Sequence, residues 1–382
     1  MLRITRGEES KLTSWYFEID RGLLGLILAL IVIGAITMIT AGSAQAAKMG
    51  QPWFFFLKKA FPFYMLGLAC LFGCSMMSKK SVIRLSIACL IFGLFGLLVT
   101  LVHPVVVKGS ARWATLGGGI SFMPADVLKP ALIVLTAWFL NKMRTFYGSD
   151  IFFNKEAWRA KWLSWWPYVA IFCLCLLIFF KHPDIGNMIL YFCVFCVMLF
   201  VAGLPWKLMP WFGGALGLLG AVAILTKAHV RGRFQHMFDV DRWSQAWYSI
   251  NAIKHGGLFG SGSDAYVKDV LPESTNDFVY ASIAEDWGVV GCLVLVTVLL
   301  LVLNKLIRHA IHARDDFVVY AIAGTAALFG GQVCFNLMTA LHLVISKGMT
   351  LPFVSYGGVS LVTFCIIFGM VLALIREDAW NR

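Results

Sequence analysis

Residues 271–288 read LPESTNDFVYASIAEDWG, the seam where a long polar loop becomes a long apolar run beginning near Phe278. Leu271-Pro272 closes the loop. Glu273 and Asp277 stand four residues apart, and Glu285-Asp286 falls inside the apolar run itself. A carboxylate at a lipid–water boundary is costly unless it has partners or chemistry to perform. Asp is also a preferred N-cap residue, so Asp277 can cap the helix that follows. The two roles are compatible, and the rest of the chain decides whether chemistry is plausible.

The chain has 382 residues, 60% of them hydrophobic and only 14% charged. Soluble domains are about 45–50% apolar and about 25% charged. With a mean hydropathy of +0.80, this composition belongs to a polytopic helical membrane protein. Residues 1–21 are too polar for a cleavable signal, so the apolar run 22–41 is expected to stay as an anchor. The net charge of +12 sits mostly in short loops between apolar runs. That distribution fits anionic lipid and topology signalling, not nucleic acid. All 10 cysteines fall in apolar runs. Cys193 and Cys196 have metal-like spacing but no polar setting, so they read as core filler.

An all-α fold with ten membrane helices follows, at roughly 21–42, 60–77, 81–102, 124–142, 164–181, 186–203, 208–226, 278–304, 317–345 and 357–375, each about 20 residues as a bilayer requires. The domain is single, 1–382, with a cytoplasmic N-terminal segment 1–20. Lys and Arg concentrate on the side of the N-terminus, which puts both termini in the cytoplasm. The long loop 227–277 then faces outward. In it Asp241 can cap an amphipathic helix whose Trp243, Trp247, Ile250 and Ile253 share a face, ended by Gly256-Gly257.

Three further outward stretches carry polar groups. The loop 103–123 holds Lys108, Arg112 and Trp113. Arg offers forked donors to phosphate, whereas an Arg-Trp pair can equally anchor at the headgroups. The next helix begins with Asp126 and Lys129, three apart on one face, either a self-neutralising pair or the mark of a site. The stretch 346–358, SKGMTLPFVSYGG, reads as a broken re-entrant segment or a plain loop; the first must be buried in protein or line water. Asp184, Arg231, Arg233, Lys254 and Lys347 fall on the same outer side. No zinc, haem or nucleotide-phosphate motif is present; Gly260-Ser261-Gly262 lacks the preceding strand of a dinucleotide fingerprint.

Taken together, GSARWATLGG (109–118), MPADVLKP (123–130), HPDIGN (182–187), the stretch 231–239, INAIKHGGLFGSG (250–262), the seam 271–288 and LPFVSYGG (351–358) resemble the SEDS family of bacterial wall synthesis. SEDS stands for shape, elongation, division and sporulation. The order and spacing match over the whole membrane region, and the LKP at 128–130 favours the division branch over the elongation branch.

The resemblance implies a peptidoglycan glycosyltransferase that polymerises lipid II outside the cytoplasmic membrane. It implies a class B penicillin-binding transpeptidase and other division proteins as partners. The family's catalytic Asp falls on Asp277, its Arg-Trp pair on Arg112-Trp113, its helix-four Lys on Lys129, and its closing motif on Leu351–Gly358, which includes Ser355. On this reading Asp277 is the base that takes a sugar hydroxyl proton. Arg112, Lys129, Arg231 and Arg233 hold the leaving pyrophosphate. A divalent cation such as Mg2+ is chemically able to bridge pyrophosphate to Glu273 or Asp277, although the sequence does not establish a cofactor. The chain departs from the family pattern at Thr275 and Asn276, at Met123, Ala125 and Asp126, at Asp264, and at His342, Ile345 and Lys347. Two other classes stay open: a flippase for lipid II, which needs a polar path through the bundle, and a scaffold that only docks a transpeptidase.

Overall fold

A computed structural model describes residues 11–102, 105–107, 110–116, 120–159, 164–181, 184–226, 231–232, 244–344 and 348–380. In lipid a backbone must satisfy its own N–H and C=O groups, and the apolar runs do so as helices. In chain order these are α1 (Lys11–Glu18), α2 (Arg21–Lys48), α3 (Phe55–Ser75), α4 (Lys79–Val102), α5 (Pro124–Tyr147), α6 (Lys155–Arg159), α7 (Trp165–Lys181), α8 (Ile185–Val201) and α9 (Met209–Thr226). Then follow α10 (Gln245–Gly256), α11 (Val267–Val270), α12 (Val279–His312), α13 (Asp316–Ala340) and α14 (Gly358–Trp380). Among the described residues, 6 helices are long and apolar enough to cross a membrane: α2, α3, α4, α12, α13 and α14. Helices α7 and α8 are apolar but shorter, at 17 residues each.

The all-α expectation needs one correction. Residues 105–122 carry a three-stranded antiparallel sheet, β1 (Val105–Val107), β2 (Ser110–Leu116) and β3 (Ile120–Phe122), in the order β1-β2-β3. The β-branched run Val105-Val106-Val107 is too short for a spanning helix and suits a pleated edge. Trp113 pairs with Val105, and Ala114 pairs with Phe122. Phe122 stacks on Phe92 of α4 at 5.3 Å between centroids, which fixes the sheet over the end of that helix.

Helices α13 and α14 form the middle of the bundle, with 72% and 78% of their apolar windows buried. Small residues let their neighbours approach, as helix packing in lipid requires. A Cβ at Gly369 of α14 would sit 2.7 Å from the Leu71 carbonyl oxygen of α3. A Cβ at Gly34 of α2 would sit 2.6 Å from the Phe353 carbonyl oxygen in the irregular segment before α14.

Helix α12 is two helices joined at Gly288, whose φ of 65° and ψ of −164° only glycine adopts readily. The break leaves the N–H groups of Val289 and Val290 without helical partners. The outer loop supplies them: the carbonyls of Gly257 and Leu258 accept at 3.0 and 3.2 Å. In return the Ser261 N–H donates to the Glu285 carbonyl at 2.8 Å. The expected cap Asp241, with Trp243, lies outside the described residues. Helix α10 is instead capped by Ser244, which accepts from the Trp247 N–H at 3.1 Å. It buries Ser249, Ala252 and Gly256, not the Trp247 face, because only small residues fit against the backbone of α12.

On the side of the chain termini the charges are more than topology signals. Asp20 caps α2 through the Leu23 N–H at 2.8 Å and also meets Lys305 at 2.9 Å and His309 at 2.6 Å. Burial pushes its pKa up. The bonds from His309, Lys305 and Leu23 outweigh this and hold the carboxyl well below the usual range. Lys79 pairs with Asp315, and its N–H donates to Glu377 at 2.6 Å.

Two outcomes test this arrangement. Gly288→Ala combines a forbidden backbone region with a Cβ 2.4 Å from the Leu258 carbonyl oxygen; it should cost at least about 2–3 kcal/mol, and an unchanged unfolding midpoint in detergent would contradict it. Asp20 has a depressed folded pKa, so its contribution is full well above the ordinary value of 3.8 and fades as pH falls below it. The midpoint gap between wild type and Asp20→Asn should therefore be open at neutral pH and narrow from about pH 5 downwards; a gap that widens on acidification would overturn the assignment.

Candidate active site

The turn 271–278 that carries Asp277 has no regular ladder, so each of its polar groups needs a separate partner. Within the turn, the Glu273 carbonyl accepts from the N–H groups of Asn276 at 3.0 Å and Phe278 at 3.2 Å. Glu273 takes a left-handed φ of 59°, strained for a residue with a side chain. Its carboxylate accepts from the Asn276 side-chain amide at 2.6 Å. Ser282, one turn into α12, donates to the Ser274 carbonyl at 2.8 Å. Asp277 is half-buried at the head of α12. No side-chain bond caps that helix through its N-cap residue, Phe278.

The turn is fastened to the irregular segment 348–357. The Tyr356 N–H donates to the Thr275 carbonyl at 2.8 Å. The Ser355 hydroxyl donates to the Asn276 carbonyl at 2.6 Å and accepts from the Leu351 N–H at 2.7 Å. Leu351, Phe353 and Val354 are buried, so this irregular backbone is enclosed by protein. The Oδ2 of Asp277 lies 3.6 Å from where a Cβ on Gly348 would stand. The turn 271–278 and the segment 348–357 therefore come together in one place, although 70 positions or more separate them in the sequence.

Helix α13 holds both pieces from behind. Asn336, fully buried, donates from Nδ2 to the Asp277 carbonyl at 3.0 Å and to the Met349 carbonyl at 2.8 Å. One turn earlier Gln332 donates to the Thr350 carbonyl at 2.8 Å. Its Oε1 accepts from the Lys129 ammonium at 3.0 Å. Sequence reading missed both amides. Their signal was available: two polar side chains four apart in an apolar helix share one face.

Lys129, expected from the sequence at the pyrophosphate, is paired within the protein. Its side chain is 2% exposed, 2.6 Å from Asp126, bonded to Gln332 and placed over the Phe364 ring at 5.5 Å. Burial makes that pairing obligatory, since an unpaired ammonium there would be prohibitive. Ser355 likewise uses its hydroxyl to join two backbones, which is a positioning role. Arg112 and Trp113 lie in β2, which packs on α4 and α5; the Arg112 side chain falls outside the described residues. Arg231 is exposed and donates to the Leu225 carbonyl at 2.6 Å. Arg233, Ile345 and Lys347 lie outside the described residues. No group of three His, Cys, Asp or Glu among the described residues could hold a metal ion.

Glu285 and Asp286, expected within an apolar run, anchor the loop between α10 and α12. The Glu285 carboxylate is wholly buried and accepts from the N–H groups of Tyr266 at 3.0 Å, Val267 at 2.8 Å and Lys268 at 2.5 Å. His255 adds a bond at 2.9 Å. This carboxylate caps α11, where the N-terminal N–H groups favour an anion. Asp286 pairs with the Lys268 ammonium.

Comparison with known proteins gives a consistent picture. Residues 21–379 match the cell cycle protein family that groups FtsW, RodA and SpoVE. The chain is similar to the probable peptidoglycan glycosyltransferase FtsW of Caulobacter vibrioides (strain NA1000 / CB15N), 30% identical over 97% of this chain and 93% of that one. It is also similar to the protein of that name from Geobacter sp. (strain M18), 29% identical over 92% and 95%. Among solved structures it resembles a chain from a peptidoglycan synthase complex that coordinates polymerization and crosslinking. The TM-score is 0.74, with 25% identity, over 94% of this chain and 98% of that chain. It shares its fold with the rod shape determining protein RodA of Thermus thermophilus, TM-score 0.68 and 23% identity, over 94% and 97%.

Glu285→Ala should leave the N–H groups of Val267 and Lys268 buried without their partner, and that of Tyr266 partly buried without it, at a cost of about 3–5 kcal/mol. Limited proteolysis of the segment 258–270 reads this: cleavage should rise in the variant, and a wild-type pattern would show the carboxylate to be dispensable.

Proposed function

Because the chain belongs to the cell cycle protein family of FtsW, RodA and SpoVE, we propose that it is a peptidoglycan glycosyltransferase that polymerises lipid II at the outer face of the cytoplasmic membrane. Curated relatives aligned over nearly the whole chain carry that activity in their names. The observation that carries the reading is the fastening of the Asp277 turn to the segment 348–357. A half-buried carboxylate stands at the end of an apolar helix on a backbone fixed from three sides.

Chain growth requires a sugar hydroxyl to attack the anomeric carbon of the growing strand, with pyrophosphate leaving. Asp277 is the base for that hydroxyl proton. One displacement at one carbon inverts its configuration. Arg112 and Trp113 on the sheet, with Arg231 and Arg233 after α9, are the groups offered to pyrophosphate. Lys129 contributes indirectly, through Gln332 and the Thr350 carbonyl. Glu273 and Asp277 are the two carboxylates in the turn available to a divalent cation that arrives with the pyrophosphate.

The protein is a multi-pass membrane protein. The finer topology proposed is ten spans with both termini cytoplasmic, adding α5, α7, α8 and α9 to the 6 apolar helices. The solved synthase complex supports a transpeptidase partner of the penicillin-binding class, and the FtsW relatives support work at the division septum with other division proteins. A flippase needs free charge along a path through the bundle. Asp126 and Lys129 neutralise each other, and Glu285 and Asp286 are committed to the outer loop. That favours polymerisation over lipid transfer.

Asp277→Asn should insert and fold as wild type yet form no glycan strands from labelled lipid II in liposomes. Polymer from the variant at the wild-type rate would remove the base, and leaflet exchange without polymer from the wild type would favour a flippase.

A further inference from the structure

The buried amide of Asn336 faces two carbonyl oxygens, those of Asp277 and Met349. Carbonyls only accept, so the amide must present its NH2 group to both, one hydrogen to each. Among the described residues its own Oδ1, which is buried, has no hydrogen-bond partner. A buried polar atom left in that condition is costly. The side chain therefore gains nothing from its oxygen, and its orientation is set by the two bonds it donates. No other side chain of this volume supplies two donors from one atom without a charge: Asp and Leu offer none in this direction, and Ser offers one.

Those two bonds do a specific job. The Asp277 carbonyl and the Asp277 carboxylate share one Cα, so fixing the peptide after Asp277 fixes where the carboxylate starts. The second bond ties the same amide to the segment whose Gly348 stands against the carboxylate oxygen. Gln332, four residues earlier, repeats the device on the Thr350 carbonyl and takes the Lys129 ammonium on its oxygen. Helix α13 is thus a rigid back wall with two rungs, and the upper rung reaches the proposed base directly.

We propose that Asn336 is a positioning residue for glycan-chain formation, clasping the Asp277 carbonyl and the irregular segment at Met349 so that the carboxylate meets the attacking hydroxyl. The proposal rests on Asp277 acting as the base. Asn336 is fully buried and acts through the backbone it holds. Its effect is on geometry at the reacting atoms, where a shift of about 1 Å costs on the order of 100-fold in rate. Substrate binding, made by other groups, is left nearly intact.

The test is steady-state polymerisation of lipid II by the purified full chain in liposomes, for wild type, Asn336→Leu and Asp277→Asn. Leu keeps the branching at Cγ and the four side-chain heavy atoms of Asn and removes both donors. Asn336→Leu should lose roughly 100-fold in kcat with KM for lipid II changed less than about threefold. Wild-type kcat in folded Asn336→Leu, beside an inactive Asp277→Asn, overturns the positioning role and leaves the base standing. A raised KM at unchanged kcat also overturns it, because the clasp would then serve binding. An Asp277→Asn protein that polymerises normally fells the base reading first and this proposal with it. If Asn336→Leu does not fold, Asn336→Ser keeps one donor and should give an intermediate kcat; a wild-type kcat in it overturns the proposal.

Discussion

A membrane interior gives no water to an exposed peptide group, so irregular backbone there survives only where the protein itself supplies every partner. The segment 348–357 and the turn 271–278 are both irregular, and they solve the problem largely for each other. Tyr356 meets Thr275, and Ser355 bridges Asn276 and Leu351. The carbonyls of Asp277, Met349 and Thr350 are taken by amides of α13. The carboxylate of Asp277 sits on a backbone held by this mutual satisfaction. Preorganisation of that kind is what a general base needs, since proton transfer depends on a fixed distance to the hydroxyl.

The same constraint shapes the outer loop. Gly288 breaks α12, and the break exposes two N–H groups that Gly257 and Leu258 repair. Glu285 and Asp286 stand just before the break and reach back to cap α11 and neutralise Lys268. The loop is therefore locked to the helix that begins at the Asp277 turn. Gly256 and Gly260 have no side chain because backbone of α12 occupies that space.

Much of this was legible in the sequence, and the misses have physical causes. Long apolar runs announced the helices, and LPESTNDF announced a carboxylate at their boundary. The strand run Val105–Val107 was hidden in a glycine-containing loop too short for periodicity to register. Gln332 and Asn336 vanished into the hydropathy of α13, where two amides barely move an average. The partners of Lys129 and Glu285, the Gln332 side chain and the N–H groups of Tyr266 to Lys268, are disclosed only by the fold. In each case the missing information was tertiary.

Hydrogen–deuterium exchange of the full chain in lipid nanodiscs tests the mutual fastening most directly. The amides of Leu351, Tyr356 and Phe278 belong to segments without helix or strand, yet each has an internal partner. They should exchange as slowly as amides inside α13. Exchange at the rate of exposed loop positions such as Phe259 would show that the Asp277 turn is not held, and the account of a prepositioned base would be contradicted.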